Sequence, residues 1–148
     1  MNEIFATTIL DDCGKNEAFR RVVKTTAYQQ ITLMAVSDLI PREIHPYTTQ
    51  TILIVEGNAL ARIGDLETKS PGKVTDLETK ETSQMSEIKM RPGDLITIPP
   101  GTYHEVLNVT KQGKLKLISF YSPPLHPQNV ISMTREEDEQ REKKACLS

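Results

Sequence analysis

The stretch Gly93-Asp-Leu-Ile-Thr-Ile-Pro-Pro-Gly-Thr-Tyr-His-Glu-Val-Leu-Asn108 decides how the rest of the chain is read. Gly93 gives a tight entry turn. Leu95 to Ile98 is rich in β-branched residues and reads as a short strand. Pro99-Pro100-Gly101 must then break pairing, because proline has no N–H to donate and Gly101 tolerates a positive φ. A second strand opens at His104 and runs to Val109. A rigid turn that delivers a histidine onto a strand is a way of placing a metal ligand.

The bulk numbers set limits around this stretch. A chain of 148 residues is long enough for one domain, 1–148, with a real core. The net charge is −2, and charges of both signs are interleaved, so no basic footprint for nucleic acid is present. No apolar run reaches the roughly 18 residues that span a bilayer, and no leader-like segment opens the chain. The expectation is a cytoplasmic protein with no nucleic-acid or membrane partner. Cys13 and Cys146 match no metal or redox spacing and read as free thiols.

Strand-like runs dominate the remainder: Gln30 to Val36, Thr51 to Val55, Ala59 to Ile63, and Leu115 to Tyr121. Glu56-Gly57-Asn58 looks like a hairpin turn that would pair the second run with the third. Short strands punctuated by Gly, Pro and Asn predict an all-β sandwich or barrel.

Two parts break the rhythm. The polar stretch 64–86 holds a near-repeat, Asp65-Leu-Glu-Thr-Lys69 and Asp76-Leu-Glu-Thr-Lys80, and reads as a long exposed insertion between two strands. From Thr134 the tail 134–148 is highly charged. Thr134 and Glu137 have capping-box spacing, so a short surface helix is expected, without the apolar stripe of a coiled coil.

Only three histidines exist, His45, His104 and His126, and any histidine-based metal site must draw on them. Glu43 and His45, two apart, share a face if they lie on a strand. Gln50 lies at an odd offset from His45, and Pro46 to Thr49 supplies the break that resets the register. Glu43 has a plainer alternative, a surface pair with Arg42. Gln50 either ligates or only hydrogen-bonds a ligand or substrate. His126 lies in a proline-rich loop and reads first as a solvated residue. Tyr47 and Tyr103 read as packing residues, and Asn108 as a turn or sheet-end group.

Together, the two segments resemble the two signatures of the cupin family. Gly93 to Asn108 fits the second signature at every specified position. Glu43, His45, Gln50 and Gly57 occupy the positions of the first, with Glu43 where a histidine is commoner and Gln50 where a glutamate is commoner. The swaps leave the ligand set with the same formal charge of −1. The Glu-x-His-Pro…Gln form resembles small single-domain cupins of the mannose-6-phosphate-isomerase-like subgroup. Phe19-Arg20-Arg21-Val22 and Phe120-Tyr-Ser-Pro-Pro-Leu-His-Pro127 support the likeness.

The resemblance implies a cupin double-stranded β-helix, or jelly roll, with a core over about 17–133, and Glu43, His45, Gln50 and His104 directed into a barrel. It also implies a homodimer, with Ile4 to Val23 a candidate to cross between subunits. Imidazole and oxygen donors without thiolate suit a divalent transition metal: Fe, Mn, Ni, Co or Zn. The expected function is a metal-dependent enzyme, isomerase or oxygenase in type, on a small oxygenated substrate such as a sugar derivative. Glu43 is a candidate base if it does not ligate; otherwise the catalytic residues are unassigned. The alternatives are a non-catalytic small-molecule binder and a partner-binding structural domain.

Overall fold

The computed structural model describes residues 3–64 and 85–147. In chain order the elements are α1 (Ile9–Lys15), β1 (Arg20–Thr25), β2 (Gln30–Val36), β3 (Leu39–Glu43), β4 (Thr49–Glu56), β5 (Ala59–Gly64), β6 (Met85–Met90), β7 (Leu95–Ile98), β8 (Tyr103–Asn108), β9 (Leu115–Ser122), β10 (Ile131–Ser132) and α2 (Arg135–Leu147). Among these residues a six-stranded sheet runs β10-β1-β2-β9-β4-β7 and a four-stranded sheet runs β3-β8-β5-β6. The pairs are antiparallel. The fold is the all-β jelly roll expected, but not a closed barrel. Each sheet keeps two edge strands, and side chains rather than hydrogen bonds join the sheets.

The expected hairpin at Glu56-Gly57-Asn58 is corrected by the sheet order. β4 pairs with β7 and β9, whereas β5 pairs with β6 and β8, so this turn carries the chain from one sheet to the other. Gly57 has φ +89°, and a Cβ there would lie 2.6 Å from Thr110 Oγ1. Only glycine fits a corner that tight.

Alternation along the long strands divides the interior. Met34 and Val36 of β2, Ile52 and Ile54 of β4, and Leu115 and Leu117 of β9 meet in one buried cluster between the sheets. Their outward neighbours Leu33 and Ile118 are covered by α1 through Cys13. Continuing the inward parity along the same strands leads to Gln30, Thr32, Gln50, Ser119 and Tyr121, all buried. One end of the sandwich interior is therefore apolar and the other polar. Each buried Leu or Ile at the apolar end contributes about 1.5–3 kcal/mol.

Several elements depart from the sequence reading. α1, β1, β3, β6 and β10 were not anticipated as elements. β6 is mostly exposed, and β10 has two residues, so neither shows an apolar alternation. β3 carries Pro41 and lies at a sheet edge, where a missing N–H costs least. Within the stretch 64–86, Gly64, Met85 and Ser86 belong to paired strands; the near-repeat between them lies outside the described residues. Helix α2 has the expected cap: the Glu137 N–H donates to Thr134 Oγ1, and Glu137 Oε1 accepts from the Met133 N–H. No helix among the described residues is long and apolar enough to cross a membrane. Cys13 is a free, buried thiol, pushed up to about 11 mainly by burial.

Candidate metal centre

A bulge puts the carboxylate in place. In the β3–β8 ladder Ile40 pairs with Val106, but Glu43, not Arg42, pairs with His104. The extra residue beside Pro41 flips the strand's parity. Ile40 faces the core, Arg42 turns outward to pair with Glu105 at 3.7 Å, and Glu43 turns inward. The plain alternative, an Arg42–Glu43 surface pair, is not what forms.

The stretch from Gly93 to Asn108 then fixes both imidazoles. The chain leaves β3 after Glu43, passes His45 in the irregular segment before β4, and re-enters a strand at Thr49, so the expected break before Gln50 is present. Gly101, at φ +81° in the Pro-Pro-Gly turn, donates its N–H to the His45 carbonyl at 2.9 Å. His104, first inward residue of β8, holds Nδ1 2.9 Å from the Thr102 carbonyl. A carbonyl only accepts, so Nδ1 carries the proton and Nε2 presents a lone pair.

Glu43 Oε2 stands 3.7 Å from His45 Nε2 and 3.7 Å from His104 Nε2. The two rings are 5.0 Å apart between centroids. One donor atom from each of the three residues lies within 4.8 Å of the others. Both Nε2 atoms are buried without a hydrogen-bond partner, as is Gln50 Oε1. Burial alone would raise the Glu43 pKa, but the facing His104 and His45 imidazoles and the Arg20 charge hold it far below the usual carboxylate range. A tetrahedral ion with bonds of about 2.1 Å spaces its donors about 3.4 Å apart. The two carboxylate–imidazole spacings of 3.7 Å need only a small contraction, and orphaned lone pairs beside a carboxylate are what a divalent cation satisfies.

Gln50 enters from the opposite sheet. Its amide Nε2 donates to Ser119 Oγ at 3.2 Å and to Tyr121 Oη at 3.3 Å, which leaves Oε1 the uncommitted atom. Tyr121 is fully buried, with its ring 6.1 Å from His45 and 5.1 Å from His126. Burial raises the Tyr121 pKa, with Arg20 opposing and Glu43 reinforcing, so the phenol stays neutral. Arg20 Nη1 donates to Tyr121 Oη at 3.1 Å. The sequence reading had noted the segments holding Arg20 and Tyr121 without giving either residue a role; the inward parity of β9 beyond Leu117 was the available signal for Tyr121.

Three other expectations meet the structure differently. His126 is buried, not solvated, because Gln30 clamps its loop: Gln30 Nε2 donates to the His126 carbonyl, and Gln30 Oε1 accepts from the Leu125 and His126 N–H groups. Tyr47, read as packing, is 84% exposed, since the irregular segment turns it away from both sheets. Asn108 does act at a sheet end: its Nδ2 donates to the carbonyls of Val36, Ser37 and Gly113.

The comparisons bear on the family and the fold. The profile of the cupin family matches residues 25–138. Uncharacterized protein L612 of Acanthamoeba polyphaga mimivirus is 32% identical over 136 residues, covering 90% of this chain and 74% of that protein. Uncharacterized protein YrkC of Bacillus subtilis is 29% identical over 133 residues, 88% of this chain; the match spans 63% of YrkC. The crystal structure of BH2720 from Bacillus halodurans superposes with a TM-score of 0.80 at 30% identity, covering 94% of this chain and 96% of that one. Jelly-roll topology and a family match over residues 25–138 converge on one assignment: the chain belongs to the cupin family.

Proposed function

We propose that the chain is a metal-binding cupin in which Glu43, His45 and His104 hold a divalent transition ion, with Gln50 Oε1 as a fourth donor. The observation that carries this reading is the pair of buried, unpartnered Nε2 atoms facing one carboxylate oxygen at 3.7 Å each. Nitrogen and oxygen donors without thiolate suit Fe, Mn, Ni, Co or Zn. When bound, such an ion supplies Lewis-acid polarisation of an oxygen ligand. The surrounding residues orient and enclose: Tyr121 offers a neutral hydroxyl, Arg20 a fixed positive charge, and the apolar end of the interior keeps water from behind the site. The substrate is a small oxygenated molecule, and the reaction an isomerisation or oxygenation in the manner of the mannose-6-phosphate-isomerase-like cupins this sequence resembles. We place the protein in the cytoplasm as a homodimer, to be checked by light scattering and cell fractionation.

Elemental analysis of protein purified without chelator tests the reading. Near one equivalent of a transition metal is expected, and its loss in His104→Ala. Less than about a tenth of an equivalent, with none regained on dialysis against Fe(II), Mn(II), Ni(II) or Zn(II), removes the proposal. A second reading, binding without turnover, is favoured by the engagement of Glu43 with both histidines. A carboxylate so held is a poor proton acceptor.

A further inference from the structure

Arg20 stands beside the proposed metal site without being one of its donors. Its side chain is 4% exposed, inside the sandwich on β1. A guanidinium there is costly unless it is paired. Its carboxylate partner is Asp138, whose Oδ1 and Oδ2 both accept from Nε, at 3.0 and 3.2 Å. Nη1 is given to Tyr121 Oη and, more distantly, to Met34 Sδ. Asp138 therefore does not make the two-pronged pairing, one oxygen to each of two nitrogens, that a free carboxylate makes with arginine.

Asp138 belongs to an element that is weakly held. Among the described side chains of α2 it is the buried one, and it is charged. Other ties of the helix include Arg135 to the exposed Asp38 at 2.8 Å and Glu142 beside His126 at 3.6 Å. An exposed pair such as Arg135–Asp38 contributes little, the His126 beside Glu142 is a neutral ring, and no apolar stripe runs along the sequence of the helix. Such an element is drawn from the low-stability end of a fold.

Between α2 and the site lies a cavity of about 170 Å³, lined by Arg20, Pro41 and Glu43 on one side and Asp138, Glu139 and Glu142 on the other. Ligand pockets usually span about 300–1,000 Å³, so this one admits only a small group while the helix is seated. The helix wall, with Arg135 beside three carboxylates, is net acidic, while Arg20 and Arg42 flank Glu43 on the facing wall, so a further carboxylate arriving there is repelled by the helix and attracted by Arg20.

We propose that Arg20 is the docking group for the carboxylate of a small acidic molecule, and that Asp138 occupies that position until the molecule arrives. The incoming carboxylate replaces Asp138 on the guanidinium, and α2 swings away to enlarge the cavity beside Glu43. This assignment deepens the proposed function by naming a substrate class for the same site.

Hydrogen exchange of the α2 amides, with propionate as probe and both propionamide and matched sodium chloride as controls, tests it on the whole chain. Propionate up to about 100 mM, the range for a weak single-group ligand, is expected to speed exchange at 136–144 about tenfold in the wild type. The controls and Arg20→Gln should show no such change. Asp138→Asn, which keeps the shape and removes the competing charge, should bind propionate at least about tenfold more tightly by calorimetry. Unchanged wild-type exchange, or an equal response in Arg20→Gln, overturns the assignment. If Arg20→Gln does not fold, the wild-type response and a tighter Asp138→Asn decide it; no gain in affinity counts against it. The assay needs no metal. A chain that binds none yet shows the Arg20-dependent response keeps this assignment and loses the metal reading. A chain that binds metal and shows no response does the reverse.

Discussion

Replacing Gln50 by leucine separates ligation from hydrogen bonding. In the metal-free protein, the buried Oε1 without a partner costs about 1–3 kcal/mol, while the two donations to Ser119 and Tyr121 contribute about 0.5–1.5 kcal/mol each. Leucine is similar in size and removes both effects, so metal-free stability should stay within about 1 kcal/mol of wild type. If Oε1 ligates, the metal-loaded protein loses a donor, at a cost of about 10–100-fold in affinity, the range seen even for residues one step removed from a metal. That is about 1.4–2.7 kcal/mol. In a chain of this length it lowers the metal-induced rise in Tm by about 3–10 °C. The assay is thermal unfolding by circular dichroism with chelator and with saturating Zn(II) or Mn(II). A Gln50→Leu variant that keeps the full metal-induced rise refutes ligation and leaves Gln50 a holder of Ser119 and Tyr121. A large loss with chelator alone refutes the cancellation.

Other perturbations follow from the same geometry. His126 is lowered to about 3, mainly by burial and then by Arg20, with Asp138, Arg141 and Glu43 also acting on it, so the unfolded chain binds more protons below about 6.5 and stability falls on acidification. His126→Phe should remove about 2 kcal/mol of the loss between pH 7 and pH 5, read from urea midpoints; parallel pH profiles would show the group is not buried neutral. Gly57→Ala should cost about 3 kcal/mol from its left-handed φ, the 2.6 Å approach to Thr110 and the Asn58–Thr110 hydrogen bonds, against about 1 kcal/mol for Gly93→Ala, where nothing lies within 4 Å; equal costs would refute the corner. Asp138→Ala should cost about 3–5 kcal/mol by stranding the Arg20 charge, and the double change Arg20→Met with Asp138→Leu much less; an additive double mutant in chemical denaturation would show the pair is not coupled.

What was legible in the sequence was local. Pro99-Pro100-Gly101 announces its own turn, and the turn places His104 whatever surrounds it. The proline-initiated break after His45 likewise announces that Gln50 belongs to a new strand. The rest depends on distant partners. Nothing near Pro41 says that a bulge will exchange Arg42 for Glu43 at the core face, because the bulge is defined only against β8. The burial of His126 depends on Gln30, 96 residues away. Arg20 finds Asp138 across 118 residues, and a charged helix carries no pattern that names its partner. The turn at Gly57 looked like a hairpin because a tight glycine turn is the same locally whether the next strand pairs with the last or crosses to another sheet.

The two-ended interior has a consequence for how this protein can change. Ile54 and Gln50 lie on one strand, four residues and about 13 Å apart, far enough for substitutions at the two to act independently. The apolar end supplies most of the folding free energy, and a substitution at Gln50 leaves that end untouched. Residues at positions 43 and 50 can therefore be exchanged for other donors with the apolar packing around Ile54 left in place. The scaffold insulates the experiment from the risk, so the inherited shape of such a chain outlasts its inherited chemistry.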